Sequence, residues 1–219
     1  MDDRKVIRCE YAAFLKTGAA CPDEKFALCG QNAKKRVADG EMMTCALYRY
    51  GRRLFLYAEF LGSELKPESF LSPLDQYLAP CPGWSGDALW AKMTPVFWHA
   101  EPLNADEWRQ SRPRERRRGR IALLKRDKIT EYVFHHLALT REGVFRGDKY
   151  MFISLLDDTL FSYFEEPRSS DNVSKTDTPS KAIEGWLAVD PESHFIPLPG
   201  SNGQNFLLID SCFDTGEGE

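Results

Sequence analysis

The sequence predicts an α+β protein made of two fused copies of a β-α-β-β-α-β unit. Two observations carry this. First, Leu54-Phe55-Leu56-Tyr57-Ala58-Glu59 returns as Leu160-Phe161-Ser162-Tyr163-Phe164-Glu165, at an offset of 106. Trp90 and His99-Ala100-Glu101-Pro102-Leu103 return in the same order as Trp186 and His194-Phe195-Ile196-Pro197-Leu198. Second, the elements read from each half fall in one order. A chain of 219 residues has room for two such units of roughly 105 residues. A unit that small builds its core more easily against a partner. The expected boundaries are 1–111 for the first repeat and 119–219 for the second.

The second half is the clearer. Gly119 to Lys125 reads as a first strand. Asp127 is an N-cap for a helix over 128–141, with Ile129, Val133 and Leu137 on one face and Gly143 near its end. Runs rich in β-formers at 148–156 and 159–165, split by Asp157-Asp158, predict a hairpin. Residues 167–180 are polar and turn-rich, hence a loop. A short helix over 179–188 carries Trp186, and 193–198 forms the last strand. This is the split βαβ order of ferredoxin-like folds.

The first half follows with blurred edges. A strand over 6–16 leads to a helix within 22–38, then to a hairpin of 42–50 with 53–61 turning at Gly51-Arg52. Residues 62–78 read as an insertion, 85–93 as a helix bearing Trp90, and 95–103 as the last strand. Phe206-Leu207-Leu208-Ile209 reads as an extra edge strand ahead of a flexible tail. A four-stranded sheet with both helices on one face leaves its other face bare. Two such sheets cover each other, so a pseudo-dimer within one chain is expected.

Composition excludes several function classes. With 42% hydrophobic and 28% charged residues the chain reads as an ordinary soluble protein. A net charge of −4 argues against a nucleic-acid partner, and the one basic run, Arg112 to Arg120, reads as a solvated linker. The six cysteines form no CxxC pair and show no zinc spacing, which suits reduced thiols inside the cell. No signal peptide emerges, and no apolar run approaches the ~20 residues that cross a bilayer. The expectation is a cytoplasmic protein with a small-molecule substrate, no nucleic-acid or membrane partner, no metal and no cofactor.

Chemistry gathers on the second repeat. Tyr132 and His136 are four residues apart and so share a helix face. Tyr150 stands at the start of the second strand and Trp186 on the last helix. With Tyr132-Val133-Phe134-His135-His136, Tyr150, the Leu160-to-Glu165 strand and Trp186, the second half resembles the L-rhamnose mutarotase family, a branch of the dimeric α/β-barrel superfamily. The resemblance implies a sugar mutarotase in which His136 is the catalytic acid and Tyr132, Tyr150 and Trp186 surround a monosaccharide. Opening a hemiacetal ring needs a group that gives and takes protons near neutrality, which an ordinary histidine can do without metal or cofactor. The family's tryptophan pair is reduced here to Gly185-Trp186. The first repeat has Phe26 and Gly30 where Tyr132 and His136 would fall, so it reads as a degenerate structural copy. His135 falls on the neighbouring helix face, and the recurrence of His99 and His194, like that of Trp90 and Trp186, favours packing roles. Two readings stand beside the isomerase: a cofactor-free α/β-barrel enzyme of other chemistry, and a ligand-binding module without catalysis.

Overall fold

A computed structural model describes residues 3–19, 21–81, 88–109, 116–142, 148–167 and 179–216. In chain order its elements are β1 (Val6–Leu15), α1 (Asp23–Ala38), β2 (Met42–Tyr50), β3 (Arg53–Leu61), α2 (Glu68–Leu71), β4 (Leu78–Ala79), β5 (Trp90–Lys92) and β6 (Thr94–Trp98). There follow α3 (Ala105–Arg109), β7 (Arg116–Leu124), α4 (Ile129–Glu142), β8 (Phe152–Leu156), β9 (Thr159–Glu166), α5 (Lys181–Ala188), β10 (Phe195–Ile196) and β11 (Leu207–Asp214). The fold is α+β, with antiparallel sheets and few helices. Its residues fall into two compact units: unit 1 comprises Met1–Met93, Pro102–Arg114 and Ile209–Glu219, and unit 2 comprises Thr94–Glu101 and Glu115–Leu208.

In unit 1, β1 pairs with β4 and β5 at one edge and with β3 on the other side; β3 pairs with β2, and β2 with β11. In unit 2 the order is β10, β7, β9, β8, β6. The hairpins turn where the chain can adopt positive φ, at Gly51 (φ +57) and Asp157 (φ +53). Helix α1 has Asp23 and Glu24 in its first turn and Lys35 and Arg36 in its last, as the helix dipole favours. At the start of α5, Ser180 Oγ accepts from the Ile183 N–H at 3.0 Å, and Glu142 accepts from Ser180 Oγ at 2.6 Å and the Ala182 N–H at 3.0 Å. In each unit the helix-side face of the sheet is the apolar one. Cys9, Leu47, Leu56, Phe60, Phe26 and Phe70 pack together in unit 1, and Leu160, Phe164, Phe97, Tyr132, Leu139 and Trp186 in unit 2.

Several expected elements move. Trp90 lies on strand β5, not on a helix, and the helical turns of the first half fall at 68–77, inside the presumed insertion. The reason is burial: Phe70, Leu71 and Leu74 all turn inward there, a helical spacing hidden by Pro67 and Pro73. Trp90 and Trp186 therefore do not correspond, nor do His99, beyond β6, and His194, at the end of a 3-10 turn. The strand expected to close the first half, 94–98, pairs with β8 in unit 2. The C-terminal strand completes the sheet of unit 1. The basic run is not a linker from Arg116 onward, because β7 sets those arginines against acids. Arg118 pairs with Glu166 at 3.3 Å and Arg117 with Glu165 at 3.8 Å. Residues 110–115, Gly143, 168–178 of the polar loop and the last three residues lie outside the described residues. No described helix is long and apolar enough to cross a membrane.

Candidate functional site

The helix-side face of unit 2 brings together three of the four residues singled out by sequence. Helix α4 stacks the His136 ring on Tyr132, centroids 3.7 Å apart and planes 19° apart. Helix α5 sets Trp186 edge-on to His136 at 4.7 Å, and β6 brings Phe97 to 5.7 Å. Trp186 also touches His194 at 4.9 Å and His135 at 5.8 Å, while Phe97 meets His99 at 5.0 Å. All four histidines of the chain are thereby linked through two aromatic side chains. Tyr150 is held at the turn before β8. Its N–H donates to Asp148 Oδ1 at 3.3 Å, and Lys149 Nζ lies 5.6 Å from its ring.

The electrostatics of His136 follow from this packing. The residue is 8% exposed, and its Nδ1 lies 2.9 Å from the Tyr132 carbonyl. A carbonyl only accepts, so Nδ1 carries the proton and Nε2 the lone pair. Burial pushes the pKa down to about 3. The Tyr132 carbonyl opposes the shift, and His135 and His194 add to it. His136 is neutral at pH 7, and its neighbours are rings. Its one ring proton is committed to the Tyr132 carbonyl, which leaves none for a sugar ring oxygen, the transfer that the isomerase reading required. His194 is fully buried, with Nε2 3.1 Å from Glu131 Oε2 and Nδ1 3.2 Å from the Asp190 carbonyl. Among the described residues no group of three His, Cys, Asp or Glu side chains is arranged to hold a metal ion.

Sequence reasoning missed a polar constellation on the other face of each sheet. In unit 1, Glu59 is fully buried and accepts from Tyr57 Oη at 2.6 Å, Trp108 Nε1 at 2.9 Å and Arg109 Nε at 2.9 Å. Arg8 Nε donates to Tyr57 Oη at 2.9 Å, and its guanidinium lies 5.0 Å from the Trp108 ring. In unit 2, Tyr163 Oη donates to Glu165 at 2.6 Å, with Arg117 alongside at 3.8 Å. Burial alone would raise the Glu59 pKa, but Arg109, Arg8 and the Arg109 and Tyr57 hydrogen bonds outweigh it and bring it to about 2. The signal was in plain view. The repeated Tyr-x-Glu of β3 and β9 is the very motif read as a mark of duplication.

No family model matches the chain, and no curated protein matches it. Solved structures to which it is similar include a candidate monooxygenase from Lactobacillus acidophilus NCFM, with a TM-score of 0.46 and 8% identity over 96% of this chain and 95% of that one. A candidate monooxygenase from Fusobacterium nucleatum subsp. nucleatum gives a TM-score of 0.44 and 7% identity over 98% and 95%. An anthrone oxidase-like protein gives 0.40 and 7% over 99% and 95%. The names these structures carry concern oxidation, and none is a mutarotase. No family model and no curated protein supports the resemblance to L-rhamnose mutarotases, and the neutral, ring-enclosed His136 does not fit the isomerase function drawn from it, so both expectations are corrected.

Proposed function

We propose that the protein is a cofactor-free enzyme that takes a proton from a planar aromatic small molecule at the helix-side face of unit 2. The observation that carries this reading is the neutral His136. Its Nδ1 proton is committed to the Tyr132 carbonyl, its Nε2 lone pair is left as a base, and Tyr132, Trp186 and Phe97 are grouped around it. Such rings suit a flat apolar ligand, which aromatic side chains hold by edge and face contacts. A buried histidine accepts a proton only while an anion stays beside it, so a ligand whose conjugate base is spread over fused rings supplies the needed partner. Dioxygen is the electron acceptor proposed. For anthrone the balance is one anthrone and one dioxygen giving anthraquinone and water, with both benzylic C–H bonds broken and their two electron pairs passing to dioxygen, one oxygen atom ending in the new carbonyl and the other in water. The choice of anthrone follows the name of one structural neighbour.

The close stack on Tyr132 and the 8% exposure favour a second reading, in which His136 is a packing residue and unit 2 binds a ligand without catalysis. Dioxygen uptake with anthrone separates the two. Wild type accelerates uptake over buffer, and His136→Phe, which keeps a flat ring in place, loses about 10²–10⁴-fold, the usual worth of a positioned acid or base. A folded wild type without acceleration, or a His136→Phe variant as active as wild type, overturns the catalytic reading.

The two units also support an origin by tandem duplication. They share a strand order, the Tyr-x-Glu of β3 and β9, and a bulge just ahead of a core phenylalanine, Phe213 on β11 and Phe97 on β6. In unit 1 the position of His136 is Gly30, and Phe213 fills the space. A Cβ on Gly30 would lie 3.1 Å from Phe213 Cβ. The base of unit 2 thus has no counterpart at that position of unit 1.

A further inference from the structure

Unit 1 has a polar cluster of its own on the helix side of its sheet, which the reading above does not use. Cys9 and Tyr11 share that face of β1, and Lys92 of β5 stands opposite Tyr11. All three turn on one carboxylate. Cys9 Sγ donates to Glu64 Oε2 at 3.3 Å, Tyr11 Oη donates to Oε1, and Lys92 Nζ pairs with Oε2. Cys9 and Tyr11 are 2% and 5% exposed, whereas the side chains of Lys92 and Glu64 are 46% and 33% exposed. The cluster therefore has a buried floor and an open rim. Glu64 itself lies between β3 and α2, beyond Gly62 (φ +77), in no helix or strand.

One more group on this face is unsatisfied. Trp90, two residues from Lys92 along β5, is 6% exposed, and its Nε1–H has no hydrogen-bond partner. A buried donor left unpaired is destabilising, and native structures hold few of them, so it points to an acceptor that arrives from elsewhere. The Cys9 and Tyr11 donors carry the same constraint. If Glu64 leaves, another acceptor has to take its place. The cradle has the chemistry of a carboxylate site, with one cation and two neutral donors. Burial disfavours the Glu64 charge, yet the hydrogen bonds from Lys92, Tyr11 and Cys9 hold its pKa below the ordinary carboxylate value.

We propose that Lys92, Tyr11, Cys9 and Trp90 form a binding site for a small organic acid with a second acceptor, and that Glu64 occupies the site in cis when the acid is absent. The ligand carboxylate replaces that of Glu64 on Lys92, Tyr11 and Cys9, while its second acceptor meets Trp90 Nε1–H. The exchange conserves charge, because one carboxylate leaves for solvent as another enters.

Calorimetric titration of the full chain with 4-hydroxybenzoate tests this. Removing the internal competitor in Glu64→Ala tightens binding roughly tenfold or more over wild type, since the competent state is no longer a minor fraction. Glu64→Gln, which retains the bulk of the side chain, shifts in the same direction and serves if the alanine variant fails to fold. Adding Lys92→Met to either variant abolishes binding, and chloride at equal ionic strength raises no thermal midpoint. Folded Glu64 variants that show no saturable uptake, or uptake that Lys92→Met leaves unchanged, overturn the proposal.

Discussion

A fully buried carboxylate survives only with donors enough to replace water, and Glu59 shows how many that takes: a phenol, an indole and a guanidinium. Arg109 approaches it within 2.6 Å with the arginine side chain only 7% exposed, so neither charge has another route to solvent. Removing one partner of such a pair strands the other, at about 3–5 kcal/mol. Glu59→Gln is accordingly expected to lose that much stability in urea denaturation, whereas an exposed pair such as Arg36 with Glu41 is worth under about 1 kcal/mol. The pH dependence has a definite sign. The folded pKa of about 2 lies below the ordinary 4.5, so the contribution is fully present above the unfolded value and is lost as pH falls from about 4.5 towards 2. At about 1.4 kcal/mol per pKa unit this is roughly 3 kcal/mol. Denaturation midpoints that fall equally between pH 5 and 3 in wild type and in Glu59→Gln would show that Glu59 is not the group responsible.

Among the elements, the contrast between α1 and α4 decides which unit has a histidine on its helix face. Gly30 on α1 lets the Phe213 ring lie against the helix, with Cγ 3.2 Å from where a Cβ would stand; on α4 the corresponding His136 meets Phe97 ring to ring at 5.7 Å. Alanine at a helical glycine ordinarily gains about 1 kcal/mol. At Gly30 the gain is opposed by overpacking of about 1–3 kcal/mol, because the obstructing atoms include a Cβ fixed to strand β11. Gly30→Ala is expected to lower the thermal midpoint in wild type and to raise it in a Phe213→Gly background, which removes the obstructing Cβ along with the ring. Equal shifts in both backgrounds would remove the contact from the account. This also marks what was legible. The α1 and α4 helices and both hairpins were readable from period and turn residues, and the four-residue spacing put Tyr132 and His136 on one helix face, where their rings stack. The meaning of Gly30 was not readable, since Phe213 is far away in sequence. The Glu59 nest was hidden likewise, because its donors Trp108 and Arg109 come from α3, some fifty residues downstream.

At the scale of the molecule, the repeat in the sequence points to two consecutive domains, but the units are not consecutive in the chain. In unit 1, β2 pairs with β11, a strand that comes from beyond unit 2 in the sequence. Local pattern could show Phe206 to Ile209 as β-prone but not which edge it covers, because pairing between distant strands leaves no local trace. The stability of unit 1 therefore depends on a segment that follows unit 2 in the sequence. In its absence β2 loses its pairing with Ser211, Phe213 and Asp214 and the two hydrogen bonds between Cys45 and Thr215, at 2.9 and 3.1 Å. Phe213 leaves the core cluster of unit 1 as well, a loss of the order of 3–5 kcal/mol for a buried phenylalanine. The exposed edge of β2 then offers an unpaired row of N–H and C=O groups for association. A fragment of residues 1–111, the span expected from the sequence for the first repeat, is expected to be poorly folded and prone to aggregate. A synthetic peptide of residues 207–219 is expected to raise its thermal midpoint in a concentration-dependent way, since binding to the folded state alone stabilises it. If the fragment melts as cooperatively and at as high a temperature without the peptide as with it, β11 is an ornament on a sheet already complete, and the unit boundaries follow the repeat after all.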